Sequence, residues 1–180
     1  VEDTLYIPLV ARIYVSKKFP GFFYDEKALS LEKYIPKNNI DKHTSEYFYM
    51  ASVCRQYSID QKIIKFLEKN PVCNIVYLGS GLETSFNRIG NKKAKFYHVD
   101  LPRVIETREK VLEKADNEVL IGGDMFSLNW VKNIDLSIPT IVSVSGVYQY
   151  FKDEKVYEMI RNMKKMIPGG ELVFDATNSK

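Results

Sequence analysis

A glycine pair, Gly79 and Gly81, and two aspartates, Asp100 and Asp124, are the residues of this 180-residue chain whose types and spacing could do chemistry. The apolar run Ile75, Val76, Tyr77 and Leu78 stops at Gly79-Ser80-Gly81, which reads as a buried parallel strand leaving a sheet through a tight turn. Glycine there permits a positive φ and lets a ligand lie against the backbone with no Cβ between them. Phe86 and Ile89 then suit a short helix whose free N–H groups would face that ligand. A second run, Phe96 to Val99, ends at Asp100, about 20 residues beyond the glycines, where nucleotide-binding α/β folds place the carboxylate that holds ribose hydroxyls. The chemistry is recognition of a nucleoside. The plainer alternative is that the Gly-x-Gly turn is only a strand-to-helix corner.

The third glycine of the dinucleotide fingerprint G-x-G-x-x-G would fall at position 84, where Thr84 stands. That glycine serves close helix–strand packing beneath a pyrophosphate, so its absence argues against NAD and FAD. Ligands with a ribose and no pyrophosphate remain, of which S-adenosylmethionine is the commonest. Further along, Gly122-Gly123-Asp124-Met125-Phe126 puts another acid at a strand's carboxyl end with a large apolar residue after it. Such a pair could accept a hydrogen bond from an adenine amino group and cover the ring, or Asp124 could simply cap a turn. Arg55, ahead of the first strand, would either pair with a surface acid or reach a ligand carboxylate with its fork of donors. Arg12 reads as a surface cation whose stem covers apolar neighbours, or as a ligand-directed charge. Tyr148 and Tyr150 near the expected mouth read as pocket wall, and no catalytic base is assigned.

These groups need elements to hold them. Residues 4–18 carry apolar side chains at helical spacing and predict a helix broken or begun near Pro8. Phe19 to Phe23 is a turn with aromatic anchors, Asp25 can cap a short helix to about Tyr34, and residues 36–42 form a polar connection. Residues 45–69 are helical, with a joint expected near Ser58, where Ser58 and Gln61 have capping-box spacing. Pro102 starts a helix to about residue 115 along Val104, Ile105, Arg108, Leu112 and Ala115. Strands follow at 118–121, 140–145 and 171–174, with a short helix around Trp130 and a longer one along Val156, Met159, Ile160, Met163 and Ile167. Alternation of strand and helix is the signature of a doubly wound α/β sheet, and the candidate ligand-binding groups all lie at strand carboxyl ends.

With 45% hydrophobic residues the chain is expected to form one globular domain, residues 1–70 a helical cap and 71–180 the α/β core. A net charge of +3 spread along the chain gives no reason to expect nucleic acid or a membrane surface as partner. Cys54 and Cys73 have no metal-ligand spacing and read as reduced thiols in a cytoplasmic protein, with no metal site expected. No apolar run has the ~18 residues of a membrane span, and the chain begins at Val1, so an N-terminal segment is expected to have been removed.

The stretches RQYSIDQKIIKFL at 55–67, IVYLGSGLETSFNRI at 75–89, FYHVDLPRVIETREKVL at 96–112, GGDMF at 122–126 and SGVYQYF at 145–151 resemble the leucine carboxyl methyltransferase family, which also holds O-methyltransferases of polyketide biosynthesis. The resemblance implies a Rossmann-like class I methyltransferase sheet and an S-adenosylmethionine site, with S-adenosylhomocysteine as product. Arg55 would hold the methionine carboxylate, and Gly79, Ser80 and Gly81 would carry the cofactor along the first strand. Asp100 and Leu101 would bind the ribose diol, and Gly123, Asp124 and Met125 the adenine. Many members have a glutamate where this chain has Ser145, which can accept a hydrogen bond without the charge. The acceptor implied is a small-molecule or peptide carboxylate or hydroxyl. The competing readings are a non-catalytic nucleoside-binding or interaction domain and, disfavoured by Thr84, an NAD-binding enzyme. In the family the sheet continues past a fifth strand, so the chain is expected to be truncated, leaving residues 171–175 as an edge that invites self-association.

Overall fold

Every apolar run that ends at a glycine or an acid becomes a parallel strand in the computed structural model, which describes residues 2–36, 45–90 and 92–176. The strands are β1 (Asn74–Leu78), β2 (Lys95–Asp100), β3 (Glu118–Gly122), β4 (Thr140–Val144) and β5 (Glu171–Phe174). Their order in the sheet is β3-β2-β1-β4-β5, the order of the family that the sequence resembles. The register pairs Leu78 with both Val99 and Val144, and Asp100 with Gly122, so the carboxyl ends of β1 to β4 share one edge. β1 is central and buried on both faces, which is why it reads as an unbroken apolar run rather than an alternating one.

The chain divides into two compact units, Val1–Asp60 with Leu82–Gly90, and Gln61–Gly81 with Asn91–Lys180. The second contains the sheet, helix α5 (Pro102–Val111) and helix α6 (Asp153–Met166), following the chain-order numbering used below. Its core joins Val76, Leu78, Val142 and Val144 of the sheet to Trp130 and to Val156, Met159 and Met163 of α6. The methionines are therefore packing residues. α5 ends at Val111, earlier than the spacing predicts, because Leu112 is already extended. The amide of Ala115 donates to Glu118 Oε2 at 2.9 Å, turning this stretch into the entrance of β3.

The first unit holds α1 (Glu2–Lys18), α2 (Glu26–Ser30), the start of α3 (Glu46–Lys69) and α4 (Ser85–Ile89). α1 runs through Pro8, where a break was expected. Proline here removes one intrahelical donor without ending the helix. α3 is one helix with no joint at Ser58, whose hydroxyl bonds back to the Cys54 carbonyl at 2.8 Å and so leaves the helix unbroken. Asp25 caps α2 as predicted, accepting from the Ala28 amide at 2.8 Å. Most of the polar connection at 36–42 lies outside the described residues. Among the described residues no helix is long and apolar enough to cross a membrane.

Candidate functional site

The turn after β1 is as tight as the glycines require. Gly79 and Gly81 have φ of 64° and 46°, in the left-handed region that side chains with a Cβ disfavour. The amides of Gly79 and Ser80 both donate to the Val99 carbonyl, at 2.9 and 3.3 Å, which folds the turn back over the end of β2. A Cβ on Gly79 would stand 2.5 Å from Cγ2 of Val147, so the absent side chain at this glycine leaves room for Val147. The Ser80 hydroxyl is buried and makes no hydrogen bond.

Asp100 is the best-defined group of the site. Its Oδ2 accepts from the Gly81 amide and its Oδ1 from the Leu101 amide, both at 2.7 Å. Each oxygen thus spends one lone pair on the backbone and keeps another, the arrangement suited to two neighbouring hydroxyls. Burial pushes its carboxyl above the ordinary aspartate range, and the two amides and the Arg108 charge pull it part of the way back. Leu101 is exposed beside it, on the turn into α5.

Behind this turn is a buried charged cluster. Arg108, 3% exposed, donates through Nη1 to the Gly81 carbonyl at 3.2 Å, and its Nη2 lies 3.6 Å from Glu118 Oε1 and 3.3 Å from His98 Nε2. His98 Nε2 is 2.9 Å from Glu118 Oε1, and the His98 ring stacks on Tyr77 with centroids 5.3 Å apart. Burial alone would raise the Glu118 carboxyl; the hydrogen bonds from His98 and Ala115 and the nearby charges hold it below the usual glutamate range. No functional role for Arg108, His98 or Glu118 follows from the sequence reading. The signal was a charged residue on the buried row Val104, Ile105, Arg108, Leu112, which calls for a buried partner.

On the far side of β2, the Gly123 amide donates to the Asp100 carbonyl at 2.8 Å, tying the third strand's turn to the second's. Asp124 is exposed and caps the following turn through Oδ1, which accepts from the Phe126 amide at 2.9 Å. Met125 is 7% exposed and packs in the core, while Phe126 beside it forms an edge-on pair with Phe151. After β4, Ser145 is half-buried, and the Gly146 amide donates to Asp175 Oδ1 at 2.6 Å. Tyr148 is buried against Phe174, its hydroxyl without a hydrogen bond and its pKa pushed up to about 12 by burial. Tyr150 is exposed.

Arg55 stands half-buried on α3 in the first unit. Arg12 is neither a surface cation nor a ligand-directed one: it is 3% exposed, its Nε is 3.3 Å from Asp25 Oδ2, and its Nη2 donates to the Leu82 carbonyl at 2.7 Å. Arg88 completes the network with ion pairs to Asp25, to Asp60 at 2.8 Å and to Glu83 at 2.9 Å. Glu83 Oε1 also accepts from the amides of Thr84 and Ser85, at 2.7 and 2.8 Å. The leading N–H groups of α4, expected to face a ligand, are therefore satisfied by the chain's own carboxylate. The sequence signal was the acid immediately ahead of the helix.

Compared with known proteins, residues 8–164 match the family model for leucine carboxyl methyltransferase. The tetracenomycin polyketide synthesis O-methyltransferase TcmP of Streptomyces glaucescens is 24% identical over 177 residues, covering 98% of this chain and 66% of that protein. The glycopeptide N-methyltransferase MtfA complexed with sinefungin has a TM-score of 0.50 at 19% identity, over 67% of this chain and 51% of that one. Human N-acetylserotonin methyltransferase in complex with SAM has a TM-score of 0.49 at 15% identity, over 92% of this chain and 48% of that one. The chain thus spans 66% of the polyketide enzyme and 51% of MtfA. The likeness to MtfA identifies the fold as that of the class I methyltransferases.

Proposed function

We propose that this chain, which belongs to the leucine carboxyl methyltransferase family, carries the cofactor site of an S-adenosylmethionine-dependent O-methyltransferase acting on a small-molecule or peptide carboxylate or hydroxyl. The observation that carries the reading is Asp100, a partly buried carboxylate fixed by the Gly81 and Leu101 amides at the carboxyl end of β2, with a lone pair left on each oxygen. A ribose diol fits that donor set, and the unpaired Ser80 hydroxyl in the same turn offers a further polar contact. In this reading Gly79, Ser80 and Gly81 carry the cofactor, Asp100 and Leu101 take the ribose, and Gly123, Asp124 and Met125 take the adenine. Asp124 does so through the oxygen its cap leaves over. Ser145 lies at the amino-acid end.

The cofactor supplies an electrophilic methyl group on a sulfonium. The protein's own contribution is to hold the acceptor oxygen in line with it, since orientation accounts for most of the acceleration in such transfers. A carboxylate acceptor is already ionised and needs no base. Tyr148, with its pKa pushed up to about 12, is a poor base at neutral pH and serves as wall. A reducing, cytoplasmic setting suits the free thiols of Cys54 and Cys73.

Calorimetry with S-adenosylmethionine, S-adenosylhomocysteine and NAD tests the assignment. The first two should bind and NAD should not. Asp100→Ala should weaken binding by roughly 1.5–3 kcal/mol, the scale of a hydrogen bond to a charged group. Parent protein that binds neither adenosyl ligand would overturn the reading, and unchanged affinity in Asp100→Ala would overturn the ribose assignment.

A further inference from the structure

We propose that Arg108 is a positioning residue for the cofactor turn, setting the orientation of the Gly81 peptide; this rests on the cofactor reading above. The peptide groups of Gly81 are held from opposite sides. Its N–H donates to Asp100 Oδ2 at 2.7 Å, and its carbonyl accepts from Arg108 Nη1 at 3.2 Å. With φ at 46° the residue has left the broad extended basin, and a glycine lacking these two anchors is free to reverse. Arg108 cannot drift, because it is buried and its other nitrogen faces Glu118 Oε1 and His98 Nε2. Glu118 is fixed in turn by the Ala115 amide at 2.9 Å and by His98. A line of contacts therefore runs from β3 through α5 into the turn after β1 and ends on the carboxylate that takes the ribose.

The guanidinium also acts through space. The charged and titratable groups in this cluster are Arg108 of α5, His98 of β2 and Glu118 of β3, with β1 contributing only the Tyr77 ring. Of these it is the Arg108 charge that opposes the upward push of burial on the Asp100 carboxyl. Removing that charge leaves Asp100 protonated to a higher pH, and a protonated carboxyl accepts hydroxyls less well. Affinity should therefore be lost earlier as pH falls.

The test is the affinity for S-adenosylmethionine of the full chain, measured by calorimetry from pH 4.5 to 8 for the parent, Arg108→Gln and Arg108→Lys, with thermal unfolding in parallel. Arg108→Gln should lose roughly tenfold at pH 8, the scale of one charge-assisted hydrogen bond. The pH at which its affinity is half lost should rise, because the charge that favours the ionised Asp100 is gone. Arg108→Lys keeps the charge without the fork, so it should lose affinity at pH 8 with an acid limb close to the parent's. If Arg108→Gln does not fold, Arg108→Lys decides: parental affinity at pH 8 overturns the proposal. Variants that melt earlier but keep the parent's affinity and acid limb would make Arg108 a packing residue and overturn it too. A parent that fails to bind would instead bring down the cofactor reading, so the two failures are distinguishable.

Discussion

Replacing Gly79 by alanine should destabilise the protein through two separable effects, and a second substitution should recover one of them. The first effect is the backbone: at φ of 64° an L-residue costs about 1–2 kcal/mol more than glycine. The second is steric: the new Cβ would meet Val147 Cγ2 at 2.5 Å and Cγ1 at 3.3 Å. Overpacking of that kind costs about 1–3 kcal/mol. Gly79→Ala should therefore lose about 2–5 kcal/mol in all. Val147→Ala alone, at a half-buried position, should cost about 1 kcal/mol of lost apolar burial. In the double variant the two Cγ atoms are gone, so its loss should fall short of the sum of the single losses by about 1–3 kcal/mol. The backbone cost of about 1–2 kcal/mol should persist in it. Urea unfolding of the four proteins, analysed with a common m-value, measures the cycle. Losses that add to within about 0.5 kcal/mol would refute the steric account and leave backbone conformation as the whole explanation.

Glu83 is buried, which would raise its carboxyl, but Arg12 and Arg88 together with hydrogen bonds from Ser85 and Arg88 hold it far below the ordinary value of 4.5. Its stabilisation is complete above that ordinary value and is withdrawn as pH falls below it, so the parent's stability should drop more steeply between about pH 5 and 2 than that of Glu83→Gln. Parallel acid-unfolding curves would show that the network does not carry the effect. Tyr148→Phe removes a buried hydroxyl that has no partner, so stability should change by under 0.5 kcal/mol or rise by up to about 1. A loss above about 1 kcal/mol in thermal unfolding would mean that the hydroxyl is bonded. The outer edge of β5, with Leu172 and Val173 half-buried and Phe174 exposed, should make the 180-residue chain self-associate. Light scattering should find less association in Val173→Lys, whereas a monodisperse parent monomer would refute the idea.

The sheet was readable because its strands are short, apolar and closed by glycine or acid, a pattern that a parallel, doubly covered sheet imposes residue by residue. The fold class followed from the alternation of elements and the helix faces from the spacing of apolar residues, whereas the strand order came with the family resemblance. Two local signals were outvoted. The capping-box spacing at Ser58 lost to continuous helical packing of Val53, Ile59 and Ile63, all buried on one long helix. Pro8 stands inside α1 without ending it, although it removes an intrahelical donor. At the site, glycine spacing and strand-end acids carry one-dimensional information and were legible. The charged networks were not, since Arg12, Asp25, Asp60, Glu83 and Arg88 are brought together from distant segments. Spacing along the chain does not encode such a meeting. Only the incongruity of an arginine among buried neighbours hinted at it, at Arg12 and again at Arg108.

The bond between the Gly146 amide and Asp175 Oδ1 spans 29 positions and gives the site a history as well as a geometry. On a ribosome adding about 5–20 residues per second, about 1.5–6 seconds separate the emergence of the donor from that of its acceptor. During that interval β1 and β2, both already made, can pair, and the glycine turn can close on Asp100. The turn after β4 must wait. Synthesis thus completes the Gly81–Asp100 turn first, and the Ser145–Tyr148 turn closes when the carboxylate just beyond β5 arrives, so the last strand times the assembly of this edge of the sheet.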